Sequence, residues 1–590
     1  MKLTRRSFLK ASAAGFGAAV LSYGLTGCSS SDKGSNVAVS FTHGVASGDP
    51  LQHAVVIWTR VSPDVAGVAS LDVRWEVALD KDFRNLVHDG MAEVSADSDY
   101  CLKVDLLNLE PGTRYFYRFA SNERLSPVGI TRTLPQGDVD QIKLAVMSCS
   151  NYPAGYFHVY GEVAKLDDLD VVLHLGDYIY EYGAGGYASE DAQALGRSLP
   201  SDNNSELLTL NDYRKRYALY RSDTQLQAAH QAVPFITVWD DHEVTNDTWR
   251  EGAENHNDGE GNFDDRKLAA LKAYFEWMPI RGQDSSQPIY RKFEFGNLLS
   301  LYMLDTRVLA RDKQLDYADF DLTSQAGQGA FMAALTDSNR TLLGGQQLNW
   351  LTDHMAQSQA IWQVLGQQVL MTKMWMPAEI LLTLGGVAST LAAGGDASSV
   401  LAKANQLFAE LAQIKGRVLA GDPSVTAAER ARVETTMPYN LDAWDGYAYE
   451  REALLGAARA MNKNLVVLAG DTHNGWAGNL VTAANNPVAP GAHAGVEFAT
   501  SSVSSPGMEN YLNLDNPQTV AQTEQVIGLL IDHLHYTNLS DRGFLTLSFS
   551  RDWVDAKWQY VSTIKAKSYQ LLEDRSKTLR VMAGANRLDA

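Results

Sequence analysis

An apolar segment that ends in a carboxylate limits the folds that this chain can adopt. Residues 171–182 read VVLHLGDYIYEY, in which Val171–Leu175 is nearly all apolar and stops abruptly at Gly176-Asp177. The pattern predicts a buried strand that delivers Asp177 to the edge of a sheet, and Tyr180 follows within reach of the same point. The segment therefore predicts an α/β architecture with a polar site at its strand ends.

The same pattern recurs along the chain. Three further apolar runs end in polar side chains, namely Lys143–Met147 before Ser148-Cys149, Phe235–Trp239 before Asp240-Asp241-His242-Glu243, and Leu465–Ala469 before Gly470-Asp471-Thr472-His473. Two more predicted strands, Leu299–Leu304 and Ile361–Leu365, lead to Asp305-Thr306-Arg307 and Gln367-Gln368. Because the carboxyl ends of strands in an α/β sheet lie at one edge, these strand ends predict a single metal site.

The length and the changes of pattern predict several domains. A chain of 590 residues is too long for one compact core. Short alternating runs separated by turn residues predict a small antiparallel β-sandwich over 39–135, and strands that alternate with helices predict an α/β catalytic domain over 140–565. An Ala-, Leu- and Gly-rich stretch over 378–436 is interpreted as a helical insertion, and 566–590 as a C-terminal tail.

Helical periodicity and turn residues predict individual elements inside these domains. The predicted helices are Asp212–Ala232, Asp264–Trp277, Ser398–Val418 and Thr426–Thr436, the last of them capped by Ser424. A hairpin is predicted from Gly543–Ser550 and Trp553–Ser562, and the acidic stretch Glu251–Asp265 is interpreted as a surface loop because it lacks the spacing of an EF-hand.

The N-terminus has the pattern of an export signal. Thr4–Lys10, TRRSFLK, resembles a twin-arginine signal, and the soft apolar run Ala11–Leu25 after it is too short and small-residued to span a membrane. Leu25–Cys28 then resembles a lipoprotein cleavage box. We therefore expect a signal peptide over 1–27, acylation of Cys28 and a polar tether over 28–38, with an ordinary cleavage site as the alternative.

Charge and cysteine content narrow the possible partners and compartments. Removing 1–27 takes away four basic and no acidic residues, so the formal net charge goes from −20 to −24, which argues against a nucleic acid partner. We expect a monomer in the periplasm or at the cell surface that meets the membrane only through the lipid anchor. Three cysteines exclude a disulfide framework, although a Cys149–Cys101 disulfide is an alternative to a ligand role for Cys149.

The residue types at the strand ends indicate metal-dependent chemistry. Carboxylate and amide oxygens suit calcium, whereas a phenolate and a thiolate suit a more polarising ion such as ferric iron. Such cations would attract a phosphate dianion and would lower the pKa of a water molecule, which gives a hydroxide nucleophile for in-line attack. These properties predict hydrolysis of phosphate esters by a site whose candidate ligands are Cys149, Asp177, Tyr180, Asp241, Asn246, Asp471 and His473.

Other residues are candidates for contact with the substrate. His242 follows Asp241 directly and could contact the phosphate or protonate the leaving oxygen. Arg307 could bind phosphate, but it could equally pair with local carboxylates. Each of these residues has an ordinary structural explanation when taken alone, and only their repetition at four strand ends favours a common site.

These motifs resemble a known family. Gly176–Tyr180, Trp239–Glu243 and Gly470–His473 resemble the calcineurin-like metallophosphoesterases, and more narrowly the alkaline phosphatase D (PhoD) type. Further family blocks match at Gly44–Pro50, Trp58–Arg60, Ser148–Tyr152, Leu304–Arg307, Trp444–Tyr447 and Ser501–Gly507. The resemblance covers about Phe41 to Val561, and the insertion interrupts it.

The resemblance implies an exported alkaline phosphomonoesterase or phosphodiesterase with one ferric iron and two calcium ions, built on a metallophosphoesterase-type layered α/β sandwich. It implies that Cys149 and Tyr180 bind the iron and that Asp177 bridges two ions. The division of the remaining ligands among the ions stays open; these ligands are Asp241, Asn246, Asp471 and His473. We assign catalytic roles to His242 and Asp177, and substrate contacts to His242, Arg307 and Asn151.

Two other functions remain as alternatives. One is a phosphodiesterase of phospholipase D type that acts on lipids, which an apolar insertion and an anchored N-terminus would suit. The other is a non-catalytic surface binding protein whose β-domain recognises a ligand.

Overall fold

Two large sheets face each other across a shared apolar core. The computed structural model describes residues 37–282, 288–392, 398–514 and 516–589. The predicted signal peptide over 1–27, the predicted acylation site Cys28 and most of the predicted tether lie outside the described residues. Trp362 of one sheet lies 6.3 Å from Phe549 of the other between ring centroids, and the Trp558 indole donates to the Ala499 carbonyl oxygen at 2.9 Å. The predicted layered α/β sandwich is confirmed.

The first large sheet has nine strands within the described residues. In spatial order they are Lys577–Met582, Trp553–Val561, Arg542–Ser550, Gln141–Met147, Val171–His174, Phe235–Thr237, Val45–Gly48, Val55–Arg60 and Cys101–Leu106. The three central strands are parallel, with Leu144 opposite Val171 and Val172 opposite Phe235. Their carboxyl ends therefore lie side by side.

The second large sheet has seven strands in the part of the chain that is described. In spatial order they are Arg291–Phe295, Leu299–Met303, Trp362–Gly366, Asn464–Ala469, His493–Ala499, Gly475–Val481 and Leu534–Asn538. The second to fifth strands of this order are parallel. The strand before Asp471 and His473 thus belongs to a different sheet from the strand before Asp177, and the expectation of one sheet edge is replaced by two edges that meet.

The N-terminal region is a β-sandwich that shares one layer with the first large sheet. Its separate layer contains Gly129–Arg132, Arg114–Ser121, Ser70–Ala78, Leu86–Ser95 and the short strand Arg124–Leu125. Side chains such as Leu71 and Tyr117 of this layer pack with Val55 and Ile57 of the large sheet. Because Gly48 pairs with Phe235, the N-terminal strands extend the sheet that leads to the site.

Helices and short pairings cover the remaining surfaces. The helices are His158–Val163, Ala192–Leu195, Leu210–Arg221, Thr224–Ala232, Phe263–Trp277, Gln325–Leu335, Gly344–Gln357, Ala378–Ala392, Ser398–Leu419, Ala427–Glu434, Ala448–Ala460, Met508–Tyr511 and Pro517–Leu530, with 3₁₀ turns at Ala96–Ser98, Tyr317–Asp319 and Trp444–Tyr447. Two-stranded pairs join Val39–Ser40 to Ser62–Pro63 and Trp375–Pro377 to Thr436–Pro438. Over the described ranges, none of the helices combines the length and the apolar character that crossing a membrane requires.

The prediction of one helix over Asp212–Ala232 was wrong. The segment forms two helices that are separated at Ser222-Asp223. The Asp223 carboxylate accepts hydrogen bonds from the backbone N–H groups of Gln225 and Leu226, and it therefore starts the second helix.

Two other local predictions also differ from the structure. The cap of the helix Ala427–Glu434 is Thr426, which forms a capping box with Glu429, and not Ser424. The predicted tail over 566–590 contains the strand Lys577–Met582, which pairs with Trp553–Val561 and forms an edge of the nine-stranded sheet.

Candidate metal centre

The backbone turns sharply where strands of both large sheets end. Cys149, Asp177, Asp471 and His473 have left-handed φ angles of 63°, 53°, 64° and 63°. Such conformations of non-glycine residues cost about 1–3 kcal/mol each, and they persist at functional sites where the surrounding structure fixes them. The strand-end loops are therefore shaped to place these four side chains.

Glycine permits the close approach of neighbouring loops. Gly176 has a φ of 106°, and a Cβ atom at this position would lie 2.3 Å from the Cβ and 2.4 Å from the backbone nitrogen of Asp240. At Gly470 an added Cβ would lie 2.5 Å from the Ser148 Oγ. The glycine that the sequence places after the apolar strand is thus required by the neighbouring loop.

Three overlapping groups of possible ligands occupy the space between these loops. Within each group the ligand atoms lie within 4.8 Å of one another, and the groups are Cys149-Asp177-His473, Asp177-Asp241-His242 and Asp240-Asp241-Asp471. Asp177 and Asp241 each belong to two groups, so each could bridge neighbouring cations. Side chains that the sequence places at separate strand ends are therefore brought together.

Tyr180 extends the first group. Its hydroxyl lies 3.1 Å from Asp177 Oδ2 and 3.1 Å from His473 Nε2. The other ring nitrogen of His473, Nδ1, lies 3.1 Å from the Tyr187 hydroxyl and 2.7 Å from the Pro506 carbonyl oxygen. Contacts to Nδ1 orient the imidazole so that Nε2 faces Tyr180, which is how metal-binding histidines are commonly held.

The donor set fits cations. Two buried carboxylate oxygens of this centre, Asp177 Oδ1 and Asp240 Oδ2, have no hydrogen-bond partner within the described residues. A buried carboxylate oxygen without a partner is unfavourable, and a cation would satisfy it. Burial raises the pKa of the Cys149 thiol and of the Tyr180 phenol well above their usual values, so metal binding must displace their protons. A thiol, a phenol and an imidazole are suitable ligands for ferric iron, and the carboxylates are suitable for calcium.

The cysteines are not linked to each other. Cys101 and Cys149 are both buried and free. The disulfide that the sequence left as an alternative is therefore wrong, and the Cys149 sulfur is available as a ligand.

Arg307 neutralises the acidic side of the centre. It is fully buried, and it donates from Nε to Asp240 Oδ1 at 2.5 Å, from Nη1 to Asp442 Oδ1 at 2.8 Å and from Nη2 to Asp471 Oδ1 at 2.7 Å. All three guanidinium nitrogens are thus engaged by carboxylates. Of the two roles that the sequence left open for Arg307, the structure displays the pairing with local carboxylates.

Glu181 holds His242 in place. The fully buried Glu181 carboxylate accepts a hydrogen bond from His242 Nδ1 through Oε2 at 2.7 Å. Its Oε1 accepts from the Asn246 backbone N–H at 2.8 Å, from Asn255 Nδ2 at 2.9 Å and from the Thr245 hydroxyl at 3.1 Å. Glu181 is therefore locked by three donors, and it fixes both the position and the protonated nitrogen of the imidazole.

The charges around His242 favour its protonated form. Burial alone would lower the pKa of His242, but the carboxylates of Asp241, Glu181 and Asp177 overcome this effect and raise it well above its usual value. The ring of Tyr180 lies 4.2 Å from that of His242 between centroids. A protonated imidazole beside a cluster of ligands can supply a proton to a departing oxygen.

Two predicted residues lie outside these groups of ligands. The Asn246 side-chain amide donates to Glu254 at 3.1 Å on the exposed rim. Asn151 is buried and donates from its amide to the Tyr187 carbonyl oxygen at 3.1 Å. Neither contact tests the predicted roles in metal and substrate binding, which stay predictions.

The sequence analysis did not assign four residues that shape the centre. Asp240 and Glu181 lie next to assigned residues in predicted strand ends, so proximity could have identified them. Tyr187 lies in a long polar loop and Asp442 in an irregular segment, and no periodic pattern marks either position.

Comparison with known proteins identifies the family of this chain. The sequence profile of the PhoD-like phosphatase family matches residues 144–558, and the profile of the N-terminal domain of PhoD-like phosphatases matches 27–135. Alkaline phosphatase D of Bacillus subtilis (strain 168) is 37% identical over 454 residues, which are 75% of this chain and 65% of that protein. The matched region thus spans slightly less than two thirds of this curated relative.

A solved structure described as PhoD is similar over nearly the whole fold. It is 30% identical, with a TM-score of 0.72, over 93% of this chain and 91% of that one. The similarity includes both large sheets and the N-terminal β-rich region, and it agrees with the resemblance inferred from the sequence motifs. Since the family profile covers more than half of the sequence, this chain belongs to the PhoD-like phosphatase family.

Proposed function

We propose that this protein hydrolyses small phosphate esters in a metal-dependent reaction outside the cytoplasm. The observation that carries the proposal is the convergence of a thiol, a phenol, an imidazole and several carboxylates in three adjoining groups at the strand ends. Membership of a phosphatase family supports the same reaction.

The proposed assignment of ligands follows the three groups. Cys149, Tyr180 and His473 suit ferric iron, Asp177 lies between this group and the next, and Asp240, Asp241 and Asp471 suit two calcium ions. When bound, these cations supply positive charge for the phosphate and lower the pKa of a water molecule. Asn246 is retained as a further candidate ligand at the rim.

His242 is the proposed general acid. Because Nδ1 donates to Glu181 at 2.7 Å, Nε2 is the nitrogen available to donate a proton to the leaving oxygen. Glu181 acts through His242 and is a positioning residue. Arg307 keeps the acidic ligands close together by neutralising their charge, and a direct contact of Arg307 or Asn151 with phosphate remains part of the proposal.

The proposed location rests on the sequence of the N-terminus. The twin-arginine pattern and the cleavage box before Cys28 support export to the periplasm or the cell surface with a lipid anchor. A strongly acidic chain supports small phosphate esters rather than nucleic acid as partners. We propose a monomer.

Replacement of each buried cysteine tests the function. We expect the purified protein to absorb visible light through its ferric ligands and to hydrolyse p-nitrophenyl phosphate until a chelator is added. Cys149→Ser should lose the absorption band, bind less iron and lose at least about 100-fold in kcat, because a hydroxyl is a poor substitute for a thiolate ligand. Cys101→Ser is the matched control, since this cysteine is also buried and free but lies in an N-terminal strand.

The outcomes separate the alternatives. Equal effects of the two substitutions, or a colourless protein that stays active after chelation, would contradict the proposed centre. Parallel assays with bis(p-nitrophenyl) phosphate and with phosphatidylcholine vesicles distinguish a monoesterase from a diesterase and from a lipid-directed enzyme. A protein without activity and without bound metal would support the binding-protein alternative.

A further inference from the structure

A cavity separate from the metal centre lies beside the seven-stranded sheet. It has a volume of about 570 Å³, and its described lining residues include none of those assigned above to the metal centre. The walls are formed by the helices Gln325–Leu335 and Ala448–Ala460, the strand Trp375–Pro377 and the loop 482–488. This volume falls within the range of roughly 300–1,000 Å³ that is typical of small-molecule sites.

The mouth of this cavity carries large apolar side chains that remain in contact with solvent. Met332, Tyr449 and Val488 are 43%, 53% and 60% exposed, and they come from three different elements around the opening. Leu335 and Trp375 also line the cavity. Apolar side chains that are exposed together around a concavity indicate a place where an apolar group binds.

One wall presents a lysine amine that lies over an aromatic ring. Lys373 Nζ lies 4.0 Å from the centroid of the Trp375 ring, and in the described part of the chain it makes neither a hydrogen bond nor an ion pair. The Lys373 side chain is exposed where it lines the cavity, so its amine is accessible to a ligand. An anion beside this amine would form a charge-assisted contact with it.

Arg451 provides a second cationic group in the wall. This side chain is 3% exposed, and it donates from Nε to the Met371 carbonyl oxygen at 2.7 Å and from Nη1 to Glu452 Oε1 at 2.7 Å. Its Nη2 is buried and has no hydrogen-bond partner in the described residues. Because this nitrogen has almost no accessible surface, Arg451 adds positive charge to the wall but does not present a free donor to the cavity.

The two acidic residues of the wall are already held by the chain. Glu452 Oε2 accepts hydrogen bonds from the Ala483 backbone N–H at 2.7 Å and from Asn486 Nδ2 at 2.9 Å. Asp445 is 4% exposed and accepts from the Met374 backbone N–H at 2.7 Å. Since both carboxylates are already engaged by donors and the Lys373 amine is unpaired within the described residues, the cavity favours a ligand with a negative charge beside Lys373.

We propose that this cavity binds an amphipathic anion, in which an apolar alkyl or aryl body lies against Trp375 and Leu335 and a single acidic head group pairs with Lys373. The exposed apolar mouth accommodates the part of the body that the cavity does not enclose. The proposal is independent of the chemistry at the metal centre, since it uses none of the residues assigned there.

Binding of a fluorescent aryl sulfonate tests the proposal. We expect 1-anilinonaphthalene-8-sulfonate to bind the mature protein at one saturable site and to be displaced by decanoate but not by decylammonium. Lys373→Gln should weaken decanoate by a factor of about two to five, because it removes an ion pair made by an exposed side chain. Lys313→Gln is the matched control, because Lys313 is an exposed lysine over another tryptophan, 5.4 Å from the Trp249 ring centroid, and lies outside the cavity lining.

A second variant tests the position of the site. Ala453 is exposed on the helix Ala448–Ala460 and lines the cavity, so Ala453→Trp should fill the space and abolish displacement by decanoate. Circular dichroism and a cooperative thermal transition confirm that each variant is folded. Displacement by decylammonium as strong as by decanoate, unchanged affinity in Lys373→Gln, or retained binding in Ala453→Trp would each overturn the proposal.

Discussion

Replacing Glu181 by glutamine tests the role of His242 as the proposed general acid while leaving His242 itself in place. The Glu181 carboxylate accepts from His242 Nδ1 on one side and from three donors of neighbouring residues on the other. A glutamine amide has a single acceptor oxygen. It therefore either presents an N–H group to His242 Nδ1, which already carries a hydrogen, or turns its N–H group toward the three donors. In both orientations a buried donor faces another donor.

The magnitude follows from the lost contact. A hydrogen bond to a charged group contributes about 1.5–3 kcal/mol, and about 1.4 kcal/mol of transition-state stabilisation is a factor of ten in rate. We therefore expect Glu181→Gln to lower kcat by roughly 10- to 100-fold. Because Glu181 is one of the three carboxylates that raise the pKa of His242, its loss should lower this pKa, so activity should decline at a lower pH on the alkaline side.

The choice of substrate makes the assay specific. General acid catalysis is most important for a poor leaving group, so the loss of kcat should be larger for phenyl phosphate than for p-nitrophenyl phosphate. Iron and calcium content are measured on the same samples. Glu497→Gln is the matched control, because Glu497 is 1% exposed, holds the backbone N–H groups of Met371 and Thr372, and has its pKa raised to about 7 by burial.

Two results would refute this reasoning. An equal loss of kcat for the two substrates would show that Glu181 does not act through proton donation by His242. A loss of bound metal that parallels the loss of activity would show that its role is to build the metal centre. In either case Glu497→Gln is expected to retain the activity of the native protein.

Three further predictions concern the loops and the core. Gly176→Ala places a Cβ 2.3 Å from the neighbouring loop at a φ of 106°, so chemical denaturation should show a loss of stability above about 2 kcal/mol, whereas Gly185→Ala, with a φ of 81° and open space around it, should cost only about 1 kcal/mol. Tyr187→Phe removes the hydroxyl next to His473 Nδ1, and we expect about tenfold faster loss of iron to a chelator; unchanged loss would contradict the orienting role. Burial lowers the pKa of His174 to about 3, whereas an unfolded histidine titrates near pH 6.5. The stability that depends on neutral His174 is therefore complete above about pH 6.5 and falls by up to about 1.4 kcal/mol per pH unit below about pH 6.5. The free energy of urea unfolding of His174→Phe should consequently depend less steeply on pH between 6 and 4 than that of the native protein.

The strand ends were predictable because their chemistry is local. Each combines an apolar run, a turn and a polar residue within about ten positions, and parallel strands bring such ends together irrespective of the loops between them. Asp177, Asp241 and His473 could be placed in one site for this reason. The membership of the strands in two different sheets could not be predicted, since each strand is apolar throughout and carries no signal for its partner.

Contacts between distant segments escaped the sequence analysis. Asp442 reaches Arg307 from 135 positions away, from a segment with no periodic pattern. The strand Lys577–Met582 is mostly exposed on both faces, so it lacks the alternation that identifies a strand, and its pairing with Trp553–Val561 defines it. Contacts between distant segments determine the structure at both positions, and the local sequence pattern carries no information about such contacts.

Glu243 explains how the strained loops keep their spacing. This fully buried carboxylate accepts hydrogen bonds from the backbone N–H groups of Asp177 at 3.0 Å, of Tyr178 at 2.5 Å and of Asp240 at 2.7 Å. It thereby ties the loop after Val171–His174 to the loop that carries Asp240, and the same loops meet at Gly176. Since backbone groups and not the ligand atoms hold the two loops, the distance between the carboxylates is set by the fold before a cation binds. The strain at the left-handed Asp177 is offset by these contacts, so the protein's own hydrogen bonds shape this loop.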